Sequence, residues 1–271
     1  MFLAINSGNE FTDIGVYDAD KLKFRAQFVT PPAVTADEYT VKLRSMLGTH
    51  DAYTHEAYTH DAYIANVSAG FDGAVIANVA DIGSSVISAA AKRLTSGRVI
   101  VIGPGVKTGL NIRIDNPAAL GANLVAIAAG ATSKYGYPAI TADFAAATAF
   151  TVIDRDAIVR GGALIPGFAL SLRALSDNAA ELPRIHVSES ASYSVLGTNT
   201  ESCMKSGIVY AAAAVIDGFV KRYKAILGTD AAVVITGRYA KIASKYSEER
   251  VIIDDTLVLD GLAAIYMRNV T

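Results

Sequence analysis

Residues 139–154 read AITADFAAATAFTVID. Stretches 139–143 and 149–154 are short apolar runs rich in β-branched residues, and the small residues between them suit a turn. The segment therefore reads as a hairpin whose first strand ends on Asp143. The N-terminal stretch has the same design: residues 2–5 and 14–17 read as strands joined by the turn-rich Asn6-Ser7-Gly8-Asn9, and 23–29 as a third strand of the same meander. Around each hairpin, helices and buried strands alternate. Helix 36–47, strand 74–79, helix 84–95 and strand 98–102 follow the first. Helix 120–135 leads into the second, and helices 170–178 and 205–227, strand 232–236 and helix 257–269 follow it. A pattern that starts twice predicts an α/β protein of two related lobes with a cleft between them, the last helix packing back across the lobes.

The bulk composition agrees with two such lobes. A chain of 271 residues can bury a large core, and 52% hydrophobic against 18% charged residues with a net charge of -2 argues against both disorder and a strongly basic nucleic-acid surface. A single cysteine, Cys203, excludes an intrachain disulfide, and the first six residues lack the basic region of a secretory signal, which predicts a cytoplasmic protein. The most apolar stretches, such as 208–215 before Asp217, are interrupted by polar residues well short of the ~20 needed to span a bilayer, so no transmembrane helix is expected.

One segment departs from the pattern. His50-Asp51-Ala52-Tyr53-Thr54, His55-Glu56-Ala57-Tyr58-Thr59 and His60-Asp61-Ala62-Tyr63-Ile64 form a pentapeptide repeat holding three of the four histidines. Imidazoles and carboxylates at close spacing allow a metal-binding reading. On a helix, however, a five-residue step sets successive histidines about 140° apart, which favours a duplicated surface helix or loop.

Five stretches could carry chemistry. Asn6-Ser7-Gly8-Asn9-Glu10 is a strand-to-strand turn where backbone N–H groups can approach a phosphate, or simply a turn. Asp143, at a strand end, can hold a cation or order a water, and can equally serve as a cap. Gly103-Pro104-Gly105-Val106-Lys107-Thr108-Gly109-Leu110 is glycine-rich without the spacing of a phosphate loop. Gly161-Gly162-Ala163-Leu164-Ile165-Pro166-Gly167 permits close backbone approach, or forms a tight turn before a helix. Asp115-Asn116-Pro117 through Gly121-Ala122-Asn123-Leu124 has the form of a loop feeding a helix.

Taken in order, these segments, with Thr200, Ser206-Gly207 and Thr236-Gly237, closely resemble the type III pantothenate kinases nearly end to end. That family belongs to the acetate and sugar kinase, Hsp70 and actin superfamily. The resemblance implies two ribonuclease-H-like lobes in an actin-like ATPase fold with a central cleft, 1–118 and 119–271. It also implies a dimer that phosphorylates pantothenate in the first step of coenzyme A synthesis, using ATP, Mg2+ and a monovalent cation, K+ or NH4+. Carried over residue by residue, it assigns nucleotide contacts to Asn6, Gly8, Asn9, Ala146 and Gly237, the monovalent cation to Asp143, and the acceptor substrate to Ile114, Gly121, Ala122 and Leu124. Thr200 is assigned a reach into the neighbouring subunit's substrate, and Asn123 the proton acceptor's position.

The chain departs from the family where charge is handled. The family's first turn reads Asp-x-Gly-Asn-Thr; here Asn6 replaces the acid and Glu10 the threonine, setting a negative charge where an anion would lie. Its Gly-Ala-Asp-Arg becomes Gly121-Ala122-Asn123-Leu124. An amide is no general base near neutral pH, and leucine cannot make the bidentate bonds with which arginine holds a carboxylate. The family's substrate-touching tyrosine is Ile114. The Gly-Thr after the cation ligand is Ala145-Ala146, which adds a Cβ and removes a hydroxyl at the nucleotide, and Arg238 replaces a glycine near the adenosine. The expectation is a homologue that lacks activity alone and acts as a noncatalytic or complementing subunit, in a homodimer or with an active paralogue. The alternatives are a divergent small-molecule kinase, with a more apolar acceptor pocket, and a nucleotide- or metabolite-sensing regulator.

Overall fold

The computed structural model describes residues 1–48, 70–228 and 230–270, and the pentapeptide repeat at 50–64 lies outside the described residues. The chain divides into two compact α/β units, one of Met1–Leu110, Asp115–Ser133 and Leu257–Thr271, the other of Asn111–Ile114 and Lys134–Thr256.

The first unit contains β1 (Phe2–Ser7), β2 (Phe11–Asp18), β3 (Lys21–Val29), α1 (Ala36–Leu47), β4 (Gly73–Asn78), α2 (Ser84–Lys92) and β5 (Val99–Val101). Its strands run β3-β2-β1-β4-β5, antiparallel from β1 to β3 and parallel from β1 to β5. Central strand β1 is bonded on both edges, so it reads as nearly continuous apolar sequence rather than an alternation. On one face Leu3, Ile5, Ile14, Val16 and Ile76 pack with Tyr39, Leu43, Leu47 and Ile87 of α1 and α2. Helix α1 starts at a capping box, Thr35 accepting from the Glu38 N–H while the Glu38 carboxylate accepts from the Thr35 N–H.

Two helices from beyond residue 118, α3 (Ala122–Tyr135) and α7 (Leu257–Val270), also join this unit; Ser133 is the last residue of α3 assigned to it. Tyr17 donates to Asp260 of α7 at 2.6 Å, and Phe2 stacks on Tyr266 of α7 with centroids 4.1 Å apart. The final helix thus returns to the N-terminal sheet. Helices α3 and α7 meet through glycines: a Cβ on Gly261 would lie 1.8 Å from the Ala126 carbonyl oxygen, and one on Gly130 would lie 2.4 Å from that of Leu257. Only bare Cα atoms allow two helix backbones to come that close.

The second unit repeats the topology. It contains β6 (Asn111–Ile112), β7 (Ala139–Phe144), β8 (Ala147–Ile153), β9 (Ile158–Pro166), α4 (Phe168–Asn178), α5 (Thr200–Leu227), β10 (Ala232–Thr236), α6 (Ala240–Ser244) and β11 (Ile252–Ile253). The order is β11-β10-β7-β8-β9-β6, with β7, β8 and β9 antiparallel and β7, β10 and β11 parallel. Strand β7 therefore stands where β1 stands in the first sheet, and the repeated hairpin is a repeated half-fold. Its core joins Ile140, Ala142, Phe144 and Phe150 to Phe168, Val209, Ile216, Val220, Val233 and Ile235.

One expectation is corrected. Gly161 to Gly167 is not a tight turn: all but Gly167 lie in β9, where Gly162 pairs with Thr151 and a Cβ there would lie 1.7 Å from the Phe150 carbonyl oxygen. The glycine serves close strand approach. Helix α5, expected over 205–227, starts earlier at Thr200 and runs unbroken for 28 residues to Gly228, whose φ of +66° ends it. By length and composition α5 is long and apolar enough to cross a membrane. In this fold its Val209, Ala212, Ile216 and Val220 lie in the second unit's core, and Asp217 accepts from the N–H groups of Glu248 and Glu249.

A buried carboxylate closes the second unit. Asp254 accepts from Tyr135 at 2.8 Å and from the Thr256 N–H and hydroxyl at 3.0 Å, and pairs with Lys134 at 2.6 Å. Burial alone would raise its pKa, but the Lys134, Tyr135 and Thr256 bonds outweigh that and hold it below the usual value. A depressed folded-state pKa contributes stability above the unfolded value of about 3.9, lost as pH falls through the folded one. Replacing Asp254 by Asn should cost about 1–3 kcal/mol in urea unfolding at pH 7 and flatten the stability loss below pH 4. An unchanged acid limb would contradict this reading. Gly261→Ala should cost about 3 kcal/mol, the upper end of overpacking, and a variant with wild-type melting would show that α3 and α7 do not cross there.

Candidate functional site

In the first unit, candidate residues gather where β1 and β4 end. The turn after β1 is closed by the Gly8 N–H donating to Phe11 O at 2.9 Å. Beneath it lies a cluster of buried hydroxyls. Thr30 donates to the Gly8 carbonyl at 2.7 Å, and Thr12 lies 2.9 Å from Thr30, 3.3 Å from the Tyr39 hydroxyl and 3.5 Å from Ser7. Burial pushes the Tyr39 phenol's pKa up, so it stays protonated as a donor within the cluster. These contacts fix the turn from below and leave the position of Gly8 and Asn9 set by side chains of β2, β3 and α1.

Asn6, one residue before the end of β1, is half-buried, and its amide oxygen Oδ1 is wholly buried and accepts no hydrogen bond. Directly across the ladder stands Asp13 of β2. Paired antiparallel residues share a face, so these side chains are neighbours. Asp13 Oδ1 accepts from Arg25 at 3.3 Å and Gln27 at 2.9 Å.

The acceptor-loop candidates reach the same strand ends. The Val79 N–H, just past β4, donates to Ser7 O at 3.0 Å, and a Cβ on Gly121 would lie 3.6 Å from Val79 Cγ1. Asn78 shapes the loop below, donating to Ile82 O and Ser84 Oγ and accepting from the Ala80 N–H. Asn123 stands in the first turn of α3, its Oδ1 2.8 Å from the Cβ position of Gly121, while Ala122 and Leu124 are half-buried beside it. The first unit thus brings together Asn6, Gly8, Asn9, Gly121, Ala122, Asn123 and Leu124.

In the second unit the gathering point is Asp143. It lies one residue before the end of β7, only 8% exposed, paired with Ala149 on one side and Thr236 on the other. The β7–β8 loop is just Ala145-Ala146, closed by the Ala145 N–H to Ala147 O. Gly167, the cap of α4, sits against it: its N–H donates to Ala146 O, and a Cβ there would lie 2.4 Å from Ala145 O. Gly237, at φ +94°, sits on the other side, its Cβ position 2.5 Å from Asp143 Oδ1. Asp143, Ala146 and Gly237 are therefore one cluster, with Arg238 exposed at its rim. A buried carboxylate at a strand end is the type of oxygen donor that suits a hard cation.

Other candidates lie apart. Ile114 is half-buried just past β6. Thr200 is the exposed first residue of α5, behind an Asn199–Ser202 capping box. The glycine-rich loop 103–110 is docked on the end of α7, the Lys107 N–H donating to Asn269 Oδ1 and Asn269 Nδ2 to Lys107 O. Gly109, at φ +78°, lies against the Arg268 side chain, and the Lys107 amide is engaged there. Among the described residues no cluster of three or more His, Cys, Asp or Glu side chains forms a metal site. The residues that sequence reasoning missed are Thr12, Asp13, Thr30 and Tyr39. Asp13 left a faint signal, a carboxylate immediately before the apolar run 14–17.

The family model for type III pantothenate kinase matches residues 2–222. The chain is 36% identical over 270 residues to the type III pantothenate kinase of Halalkalibacterium halodurans, covering 100% of each, and 34% identical over 272 residues to that of Brevibacillus brevis, covering 99% of each. Among solved structures, a protein described as a Baf family transcriptional activator from Campylobacter jejuni superposes with a TM-score of 0.57 at 15% identity, covering 98% of both chains. The activator of 2-hydroxyisocaproyl-CoA dehydratase from Clostridium difficile superposes at 0.51 and 10% identity, covering 98% of this chain and 93% of that one. These two show the fold.

Gly237→Ala tests the Asp143 cluster. The added Cβ meets the carboxylate and the left-handed backbone disfavours it, so the variant should lose about 1–3 kcal/mol in denaturant unfolding. A neutral result would mean that Gly237 does not abut Asp143.

Proposed function

The chain belongs to the type III pantothenate kinase family, and on that premise we propose that it keeps the family's substrate cradle without the groups that operate it. It is then a pantothenate kinase homologue, inactive alone, that serves as a noncatalytic or complementing subunit of a dimer.

The observation that carries this reading is Asn123. The loop before α3 is ordered by the Val125 N–H donating to the Gly121 carbonyl, and it lies near Val79, so the local frame for a proton acceptor is present. The side chain in that frame is an amide, which cannot take the proton of a pantothenate hydroxyl. Leu124 beside it offers the pantothenate carboxylate no charge. Loss of a general base alone removes ~10²–10⁴-fold in rate. Phosphoryl transfer relies on positioning and electrostatics, so losing the substrate's cation compounds the effect.

The family is one of ATP-dependent kinases, and ATP is assigned here to the turns at Asn6–Asn9 and Ala145–Ala146 with Gly237. The wholly buried, unpartnered Asn6 Oδ1 suits a hard cation or a donor, and the buried Asp143 carboxylate suits a monovalent cation. When bound, these cations would neutralise phosphate charge. This chain's part is to hold the turns rigid, through Thr30 on Gly8 and Gly167 on Ala146. The cytoplasm, where ATP is available, is the compartment this reading requires.

The complementing role draws on the start of α5. Val195 and Leu196 are 68% and 75% exposed, yet Ser206 pins their loop by donating to Val195 O at 2.6 Å. Rigid exposed apolar residues next to Thr200 are what a chain lending a threonine to a second subunit would present.

The test is turnover with ATP, Mg2+, K+ and pantothenate for this chain, for Asn123→Asp/Leu124→Arg, and for a mixture with an active family member. The chain alone should run at least ~10²-fold below the double variant, and the mixture should regain activity. Turnover by the chain alone that disappears in Asp143→Ala would overturn the reading. Turnover only with a less polar acceptor would assign it to a divergent small-molecule kinase, and nucleotide binding without turnover in any mixture to a sensing role.

A further inference from the structure

The two half-folds permit a comparison that bears on the missing acid. Asn6 is the fifth of six residues in β1, and Asp143 the fifth of six in β7, the matching central strand. In the second unit the rung across the sheet reads Ala149, Asp143, Thr236, with the carboxylate on the central strand. In the first unit the corresponding rung reads Asp13, Asn6, Ala77, with the amide on the central strand and the carboxylate one strand over. Each rung carries one negative charge at a different strand.

The local chemistry fits a function for the displaced acid. Side chains directly opposite on antiparallel strands approach within about 5 Å at Cβ. Asn6 Oδ1 is buried and accepts no hydrogen bond, a condition that in folded proteins usually marks a missing water, ion or ligand. Asp13 is largely buried, at 13% side-chain exposure, and both of its contacts, Arg25 and Gln27, engage Oδ1. They orient the carboxylate, and among the described residues Oδ2 has no hydrogen bond. An acid at both positions would set like charges face to face, which is unfavourable in a sheet. One amide and one acid avoid that and still present two oxygens. Small hard divalent cations are commonly held by one or two carboxylates with other oxygens, waters and phosphates completing the shell.

We propose that Asn6 Oδ1 and Asp13 Oδ2 form a two-oxygen site for a divalent cation, with Asp13 supplying the charge that Asn6 lacks. The inference rests on the reading of the Asn6–Asn9 turn as the phosphate turn, and it adds Asp13 as a ligand on the neighbouring strand. Arg25 and Gln27 act as positioning residues through Asp13 Oδ1.

Mn2+ serves as the probe, its binding to the full chain followed by loss of the free-ion electron paramagnetic resonance signal, without nucleotide and then with ADP. The chain should take up Mn2+ at this site, with affinity falling at least tenfold in Asp13→Asn and in Asn6→Leu, recovering in Asp13→Glu, and unchanged in Asp18→Asn at the exposed end of β2. Asn6→Asp should tighten Mn2+ at least tenfold while lowering the melting temperature in EDTA. Circular dichroism confirms that each variant is folded. Absence of Mn2+ uptake at millimolar concentration, or folded Asp13→Asn binding as the parent does, would overturn the proposal. ADP binding in EDTA separates the two readings. If ADP binds and Mn2+ uptake does not depend on Asp13, this inference alone falls. If ADP never binds but Mn2+ uptake depends on Asp13, the cation site stands and the nucleotide assignment falls.

Discussion

Strands β1 and β7 are each hydrogen-bonded on both edges, antiparallel to a hairpin partner on one side and parallel to β4 or β10 on the other. Such a strand cannot slip by a residue without turning its buried side chains to the wrong face and unpairing two ladders. Where it stops is therefore fixed, and the turn that leaves it is held in place. Asn6 and Asp143 occupy the same step before that stop. Every candidate residue that the fold gathers is gathered around one of these two ends.

The surrounding contacts add rigidity in different ways. In the first unit, hydroxyls do the positioning: Thr12, Thr30 and Tyr39 satisfy one another and the Gly8 carbonyl in a site with little access to water. In the second, bare backbone does it, with Gly167 and Gly237 pressed against the turn and the carboxylate. The Gly130–Gly261 crossing places α3 on the first unit, and the start of that helix, with Asn123, reaches the end of β4 near Val79. A helix from beyond residue 118 thereby brings Gly121 to Leu124 to the strand ends that carry Asn6.

Much of this was legible in sequence. The two hairpins, their order and the helices between them follow from apolar periodicity, and so does the strand Ala232–Thr236. Strand β9 was obscured because its glycines signal turns, whereas here they allow strand contact that only the paired neighbour reveals. The start of α5 was read late because Thr200 to Met204 carries no helical stripe, and its Asn199–Ser202 cap is a local signal of low contrast. The cross-strand relation of Asn6 to Asp13 depends on register, seven residues apart in sequence and opposite in the sheet. Asn123 and Leu124 were legible as lost charges only beside the family pattern, because amide and leucine are ordinary residues at a helix start.

The account is of a scaffold kept and a charge pattern changed. In the proposed reading, Asn123 and Leu124 stand where the family carries an acid and a cation, and Asp13 stands one strand aside from Asn6. The most direct measurement is a calorimetric titration of pantothenate into this chain and into Leu124→Arg. Losing a charge-assisted bidentate contact of about 1.5–3 kcal/mol corresponds to roughly 10–100-fold in affinity, so the chain should bind pantothenate at least tenfold more weakly than the variant. Equal affinity in the two proteins would contradict it.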